Sequence, residues 1–203
     1  MSTPPAFDAA FAGQFAELLR WRRDVRRFRR DQVPAELIET LLAQVELSPS
    51  VGHSQPWRWL SIMEPGQRAA VQASFRRCNA EALTAYEGDR AALYARLKLE
   101  GLQEAPVQFA VFCDHATERG HGLGRLTMPE MLDYSVVAAI TQFWLAARIH
   151  GLGVGWVSIL EPAEIAAALD TSPDWKLIAY LCVGWPTEEC DVPELVRAGW
   201  ETR

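Results

Sequence analysis

The chain has 203 residues, 49% of them hydrophobic and 23% charged, which is the balance of a folded domain with a sizeable core and excludes a disordered chain. A formal net charge of −6 argues against a protein that coats nucleic acid. The first fifteen residues carry neither a basic segment nor a continuous apolar run, so no export signal is expected and the cytoplasm is the expected location.

In chain order, the spacing of apolar residues predicts an amphipathic helix over residues 7–22, with Phe11, Phe15, Leu18, Leu19 and Trp21 directed inward. An arginine-rich stretch follows. Pro34 opens a second helix, with Leu37, Leu41 and Val45 on one face. "SPSVGHSQPW" reads as a turn-rich loop and "WRWLSIM" as a strand. Residues 66–103 form one or two charged, alanine-rich helices with Gly88 as the break. "APVQFAVFC" is a second strand, whose apolar run predicts a central position. A long loop over 114–130 leads into a helix over 129–150, with Gly151 placed as its C-cap. "GVGWVSI" is a third extended segment, "PAEIAAAL" a short helix and "WKLIAYLCVGW" the last strand.

The longest apolar stretch, 131–156, is interrupted by Asp133, Thr141, Gln142 and Arg148, so it reads as a buried helix and not a membrane span. Neither a repeat nor a linker interrupts the pattern, and one α+β domain over 1–203 is expected. Cys78, Cys113, Cys182 and Cys190 form no CxxC pair and show no ligand spacing with the four histidines, so free thiols are expected and no metal is implied.

From Arg20 to Arg30, seven of eleven residues are arginine. Guanidinium groups bind phosphate bidentately and stay charged at any working pH, but one phosphate does not need seven of them. Some are therefore ion-pair or surface residues. Asp24 stands among them, either as an ion-pair partner or as a base beside a bound anion. "PSVGHSQPW" offers small residues, an amide and backbone N–H groups to a flat polar ligand. "GVGWVSI" sets glycines beside a hydroxyl, but without the spacing of a dinucleotide fingerprint, and no phosphate-binding GKS or GKT occurs. Ser158 has no nucleophile-elbow setting. The tryptophans do not alternate with basic residues as in a single-strand nucleic-acid binder.

Taken in order, "RRDVRRF", "SPSVGHSQPWRW", "KLEGLQEAP", "ARIHGLGVGWVSI" and "LCVGWP" resemble the nitroreductase-like flavin family. Within it they are most similar to the 5,6-dimethylbenzimidazole synthases, which carry aspartate where the reductases have serine or threonine. The resemblance runs from Trp21 to Arg203. It implies a mostly antiparallel central sheet flanked by helices, and a homodimer with two flavin sites at the interface. It also implies that Arg22, Arg23 and Arg26 hold the FMN phosphate and the polar edge of the ring, with Asp24 and Val25 between them. Ser50 would lie along the flavin, Leu99 would line it, and Gly155, Trp156 and Ser158 would face the central ring. Arg203 would sit near the phosphate. By the same resemblance, reduced FMN is the substrate, molecular oxygen the co-substrate, Asp24 the base and Ser158 a partner in oxygen activation. A separate flavin reductase would supply the reduced FMN. Net charge, the interrupted apolar stretch and the missing ligand spacing imply no nucleic-acid, membrane or metal partner.

Overall fold

A computed structural model describes residues 3–202. Its helices are α1 (Ala9–Trp21), α2 (Ala35–Val45), α3 (Pro65–Leu83), α4 (Gly88–Tyr94), α5 (Met131–Ile149), α6 (Pro162–Ala168) and α7 (Glu194–Arg197). Its strands are β1 (Trp57–Ser61), β2 (Val107–Asp114), β3 (Gly153–Val157) and β4 (Trp175–Gly184). They pair in the order β1-β2-β4-β3, and each neighbouring pair is antiparallel. The fold is α+β, a central antiparallel sheet flanked by helices.

The apolar run of β2 is explained by its place between two layers. Phe109, Val111 and Cys113 alternate onto one face, packing with Leu41 and Val45 of α2 and Val136, Ile140 and Phe143 of α5. Ala110 and Phe112 turn to the other face, beside Val71 and Phe75 of α3 and Ile165 of α6. A strand buried on both sides needs no polar alternation. The register slips between Val111 and Phe112, which pair with Ala179 and Leu177 and leave Ile178 of β4 without an opposite residue.

Local signals set the element ends. The Asp8 carboxylate caps α1 by accepting the Phe11 N–H at 2.8 Å. α5 ends where Gly151 adopts φ +76°, with its N–H donating to Arg148 O and that of Leu152 to Ala147 O. Gly88, at φ +55°, opens α4 after the break that follows α3.

Three expectations change. α1 buries none of its residues: Phe11, Phe15 and Leu19 are exposed rather than directed inward. Its apolar face looks instead across an open groove of about 1230 Å³ to Leu47 of the loop after α2 and to Leu145 and Ile149 of α5. The helical region of 66–103 ends at Tyr94, and Ser158 lies one residue past the end of β3. No helix among the described residues is long and apolar enough to cross a membrane.

Candidate active site around Asp24

The arginine stretch leaves α1 and runs beside the outer edge of β3. Asp24 forms a parallel bridge to Val154, and the Val25 N–H donates to Val154 O at 3.0 Å. The approach is close enough to dictate glycine on β3. A Cβ at position 155 would lie 2.1 Å from Val25 O, and one at 153 would lie 2.7 Å from Val25 Cγ2. Gly153 and Gly155 are thus explained by the seating of Val25 within a single chain.

That seating fixes the Asp24 carboxylate at both oxygens. Oδ1 accepts the Trp156 N–H at 2.9 Å, and Oδ2 accepts Arg26 Nε at 2.8 Å. Burial raises the pKa of Asp24. The Arg26 cation, the Trp156 N–H and the Arg22 cation oppose that rise without cancelling it. The result is a carboxylate of raised proton affinity with fixed orientation, the character of a general base. Each oxygen keeps a lone pair beyond the bond it already accepts.

Arg26 is 12% exposed along its side chain, and its Nη1 also donates to Lys98 O at 3.0 Å. Its guanidinium thus ties Asp24 to the segment that carries Leu99. It faces inward and is already engaged, so its placement is that of a support for Asp24. Arg22 lies 4.8 Å over the Trp144 ring and makes no ion pair among the described residues. Arg23 Nη2 donates to Leu19 O at 3.1 Å and also to Arg20 O.

Two of the remaining arginines, and Arg148 of α5, meet an acidic segment after β4. Arg20 pairs with Asp191, Arg27 with Glu188 and Glu194, and Arg148 of α5 with Glu189 at 2.8 Å. Arg29 lies 3.4 Å from Asp31. Some arginines of the stretch are thus ion-pair residues, as one phosphate's limited need for guanidinium groups implies.

The structure brings Asp24, Val25, Arg26, Gly155 and Trp156 together, with Leu99 adjacent through Lys98. Ser158 lies two residues beyond Trp156 with an exposed side chain. Ser50 belongs to a different wall. Its Oγ accepts the Gln55 N–H at 3.0 Å, while the next residue, Val51, donates its N–H to Ser135 Oγ of α5. Arg203 lies outside the described residues. Sequence reasoning missed Trp144, whose Nε1 donates to Arg23 O at 3.3 Å, and it missed the acidic segment. Four acids between Glu188 and Glu194, in a chain with a local arginine excess, were the available signal for the second.

The cleft beside Asp24, walled by Arg23, Arg27, Cys190 and Val192, holds only about 30 Å³, room for a water and not for a flavin. Arg22, which makes no ion pair among the described residues, is nevertheless a guanidinium of the kind that binds a flavin phosphate, while the Asp24 carboxylate is an acceptor and serves another role.

The model of the Nitroreductase family matches residues 19–185. The chain belongs to the nitroreductase family. Among its family relatives, a 5,6-dimethylbenzimidazole synthase of Rhodospirillum rubrum is 54% identical over 203 residues, covering 100% of this chain and 96% of the relative. A 5,6-dimethylbenzimidazole synthase of Rhodobacter capsulatus is 45% identical over 195 residues, covering 96% and 94%. A nitroreductase-like fold also appears in an iodotyrosine deiodinase solved with FMN and 3-iodo-L-tyrosine, with a TM-score of 0.72 at 23% identity over 86% of this chain and 91% of that one.

Proposed function

We propose that this member of the nitroreductase family is a 5,6-dimethylbenzimidazole synthase, converting reduced FMN with molecular oxygen into the benzimidazole. The observation that carries the reading is the mounting of Asp24. A carboxylate of raised proton affinity is held at both oxygens beside β3, in a chain 54% identical along its whole length to a synthase.

Arg22 and Arg23 would hold the flavin phosphate and ring edge, with Arg203 beside the phosphate. Val25, Gly155 and Trp156 would form the wall along the ring, with Leu99 and Ser50 lining it. Reduced FMN, when bound, supplies both the electrons for oxygen and the carbon skeleton of the product. The protein's own contribution is positional and electrostatic. Trp156 N–H and Arg26 fix the plane of the Asp24 carboxylate, so that a free lone pair is available to take a proton from substrate carbon. Arg26 balances the charge when that proton leaves again. Ser158 offers an exposed hydroxyl at the end of β3, a donor for oxygen activation.

The cleft in one protomer is too small for the substrate, and Ser50 stands on a separate wall. Both facts support a homodimer in which two chains complete each site. The apolar face of α1 and α5 supplies a surface for that contact. Since the flavin itself is consumed, the reading needs a separate flavin reductase and no nicotinamide pocket. The four free cysteines fit a cytoplasmic location.

The test is to mix excess protein with photoreduced FMN, admit oxygen, and follow flavin absorbance with mass spectrometry of products. Loss of flavin with appearance of 5,6-dimethylbenzimidazole supports the reading. Full return of oxidised FMN, with NADH then oxidised on addition, would overturn it in favour of a nitroreductase. Tight FMN binding without either reaction would leave a flavin-binding module.

A further inference from the structure

A cluster none of whose residues is assigned to the flavin site lies toward the end of the sheet where β4 begins. Cys113 near the end of β2, His115 just beyond it and Asp133 in the first turn of α5 bring a sulfur, an imidazole nitrogen and a carboxylate oxygen within 4.8 Å of one another. β3 does not reach this end, because it pairs only with Tyr180–Gly184 of β4. We propose that Cys113, His115 and Asp133 form a binding site for a single zinc-type divalent cation, with its fourth position open to solvent.

The argument starts from what surrounds Asp133. His115 Nε2 lies 2.8 Å from Oδ1, Lys176 Nζ lies 2.6 Å from Oδ2, and the Cys113 sulfur lies within 4.8 Å of the same carboxylate. Two of these three neighbours, a thiol and an imidazole, become metal ligands once their protons are displaced. A cation placed among them exchanges those protons for coordination bonds of about 2.0–2.3 Å, which requires only a small opening of the present His115–Asp133 contact. Lys176 then keeps its bond to the other carboxylate oxygen, as outer-sphere partners do when they orient a ligating carboxylate.

The donor set is selective. Thiolate with imidazole and one carboxylate is borderline-soft, suiting zinc or cobalt and not magnesium or calcium. One thiolate and one carboxylate offset the charge of a dication, and the Lys176 ammonium beside Asp133 leaves one positive charge at the solvent edge of the site. The positions are also preorganised. Cys113 is fully buried and sits opposite Lys176 in the β2–β4 ladder, and the His115 N–H donates to Asp174 O at 3.0 Å. His115 is exposed and gives the cation a path from solvent. The absence of CxxC or paired-histidine spacing had implied no metal; the third ligand comes from a helix eighteen residues further on, which ligand-spacing rules do not search.

The test uses the full chain, freed of metal by chelator and without added flavin, titrated with cobalt(II) and then zinc(II). The proposal expects saturation at one cobalt per chain, an intense near-ultraviolet sulfur-to-cobalt charge-transfer band, and displacement by zinc. Cys113→Ser should abolish the band, while His115→Gln and Asp133→Asn should each weaken binding at least about tenfold. Circular dichroism checks the fold of each variant. If Cys113→Ser does not fold, the wild-type band and the two exposed-side variants decide. Absence of the band in the wild type, its survival in folded Cys113→Ser, or unchanged affinity in both other variants would overturn the site. None of these outcomes bears on the flavin chemistry.

Discussion

The carboxylate of Asp24 is suspended from the backbone of Trp156, its Oδ1 accepting the Trp156 N–H at 2.9 Å, so the proposed base and the strand leading to Ser158 are one rigid unit. The bond exists because Val25 lies against Gly153 and Gly155, where no side chain intervenes. A strand edge, with its backbone already in the ladder, holds a catalytic group more firmly than a loop does.

The raised pKa of Asp24 has two consequences for pH dependence. A base acts only when ionised, so the rate of product formation should fall on the acid side at a pH above the ordinary aspartate range. Stability should move in the opposite sense. The unfolded chain loses the Asp24 proton first, so stability falls as pH rises from the ordinary carboxylate value to the raised one. In Asp24→Asn that component of the stability profile should vanish, as measured by urea unfolding across pH.

Arg26 is the principal cation opposing the effect of burial on Asp24. Arg26→Gln should therefore move the acid limb of the rate profile to higher pH. It also leaves Lys98 O without its donor, and the lost charged hydrogen bonds should lower stability by about 1–3 kcal/mol. A rate limb that stays in place would show that Arg26 serves packing alone.

Gly155→Ala tests the close approach directly. The new Cβ would meet Val25 O at 2.1 Å, a backbone atom that cannot rotate away. Overpacking of this kind costs about 1–3 kcal/mol, and here it should also part Asp24 from Trp156. Unfolding midpoint and product yield should fall together. The substitution Gly13→Ala, within α1 and meeting nothing within 4 Å, is the control: it should raise the unfolding midpoint by the helix-propensity gain of about 0.5–1 kcal/mol and leave product yield unchanged.

The apolar groove between α1 and α5 should be covered in solution. Phe15→Glu or Ile149→Glu, each on the exposed side of that groove, should yield monomers by sedimentation and lose FMN binding while keeping the helical circular dichroism. A dimer that persists in both variants would place the contact elsewhere.

Much of this was legible in the residues. The continuous apolar run of "APVQFAVFC" marked a central strand, Gly151 marked a helix end, and Asp24 stood out as an acid in a basic stretch. Three features were not legible. The apolar positions of α1 fix its periodicity but not whether the sheet or an open groove receives them. Arg26 matches a ligand-binding motif, yet its engagement with Asp24 and Lys98 O depends on a contact seventy-two residues away. The pairing of the arginines with Glu188, Glu189, Asp191 and Glu194 likewise depends on how the chain returns after β4. Periodicity reports local geometry, while each of these contacts is set by tertiary packing.

The most direct measurement is a single-turnover comparison of wild type and Asp24→Asn, each loaded with photoreduced FMN and mixed with oxygen, with 5,6-dimethylbenzimidazole quantified by mass spectrometry. With Asp24 as the base, both proteins bind reduced FMN, the wild type forms the product, and the variant forms it at least about a hundredfold more slowly. Product formation by Asp24→Asn at the wild-type rate would contradict the account.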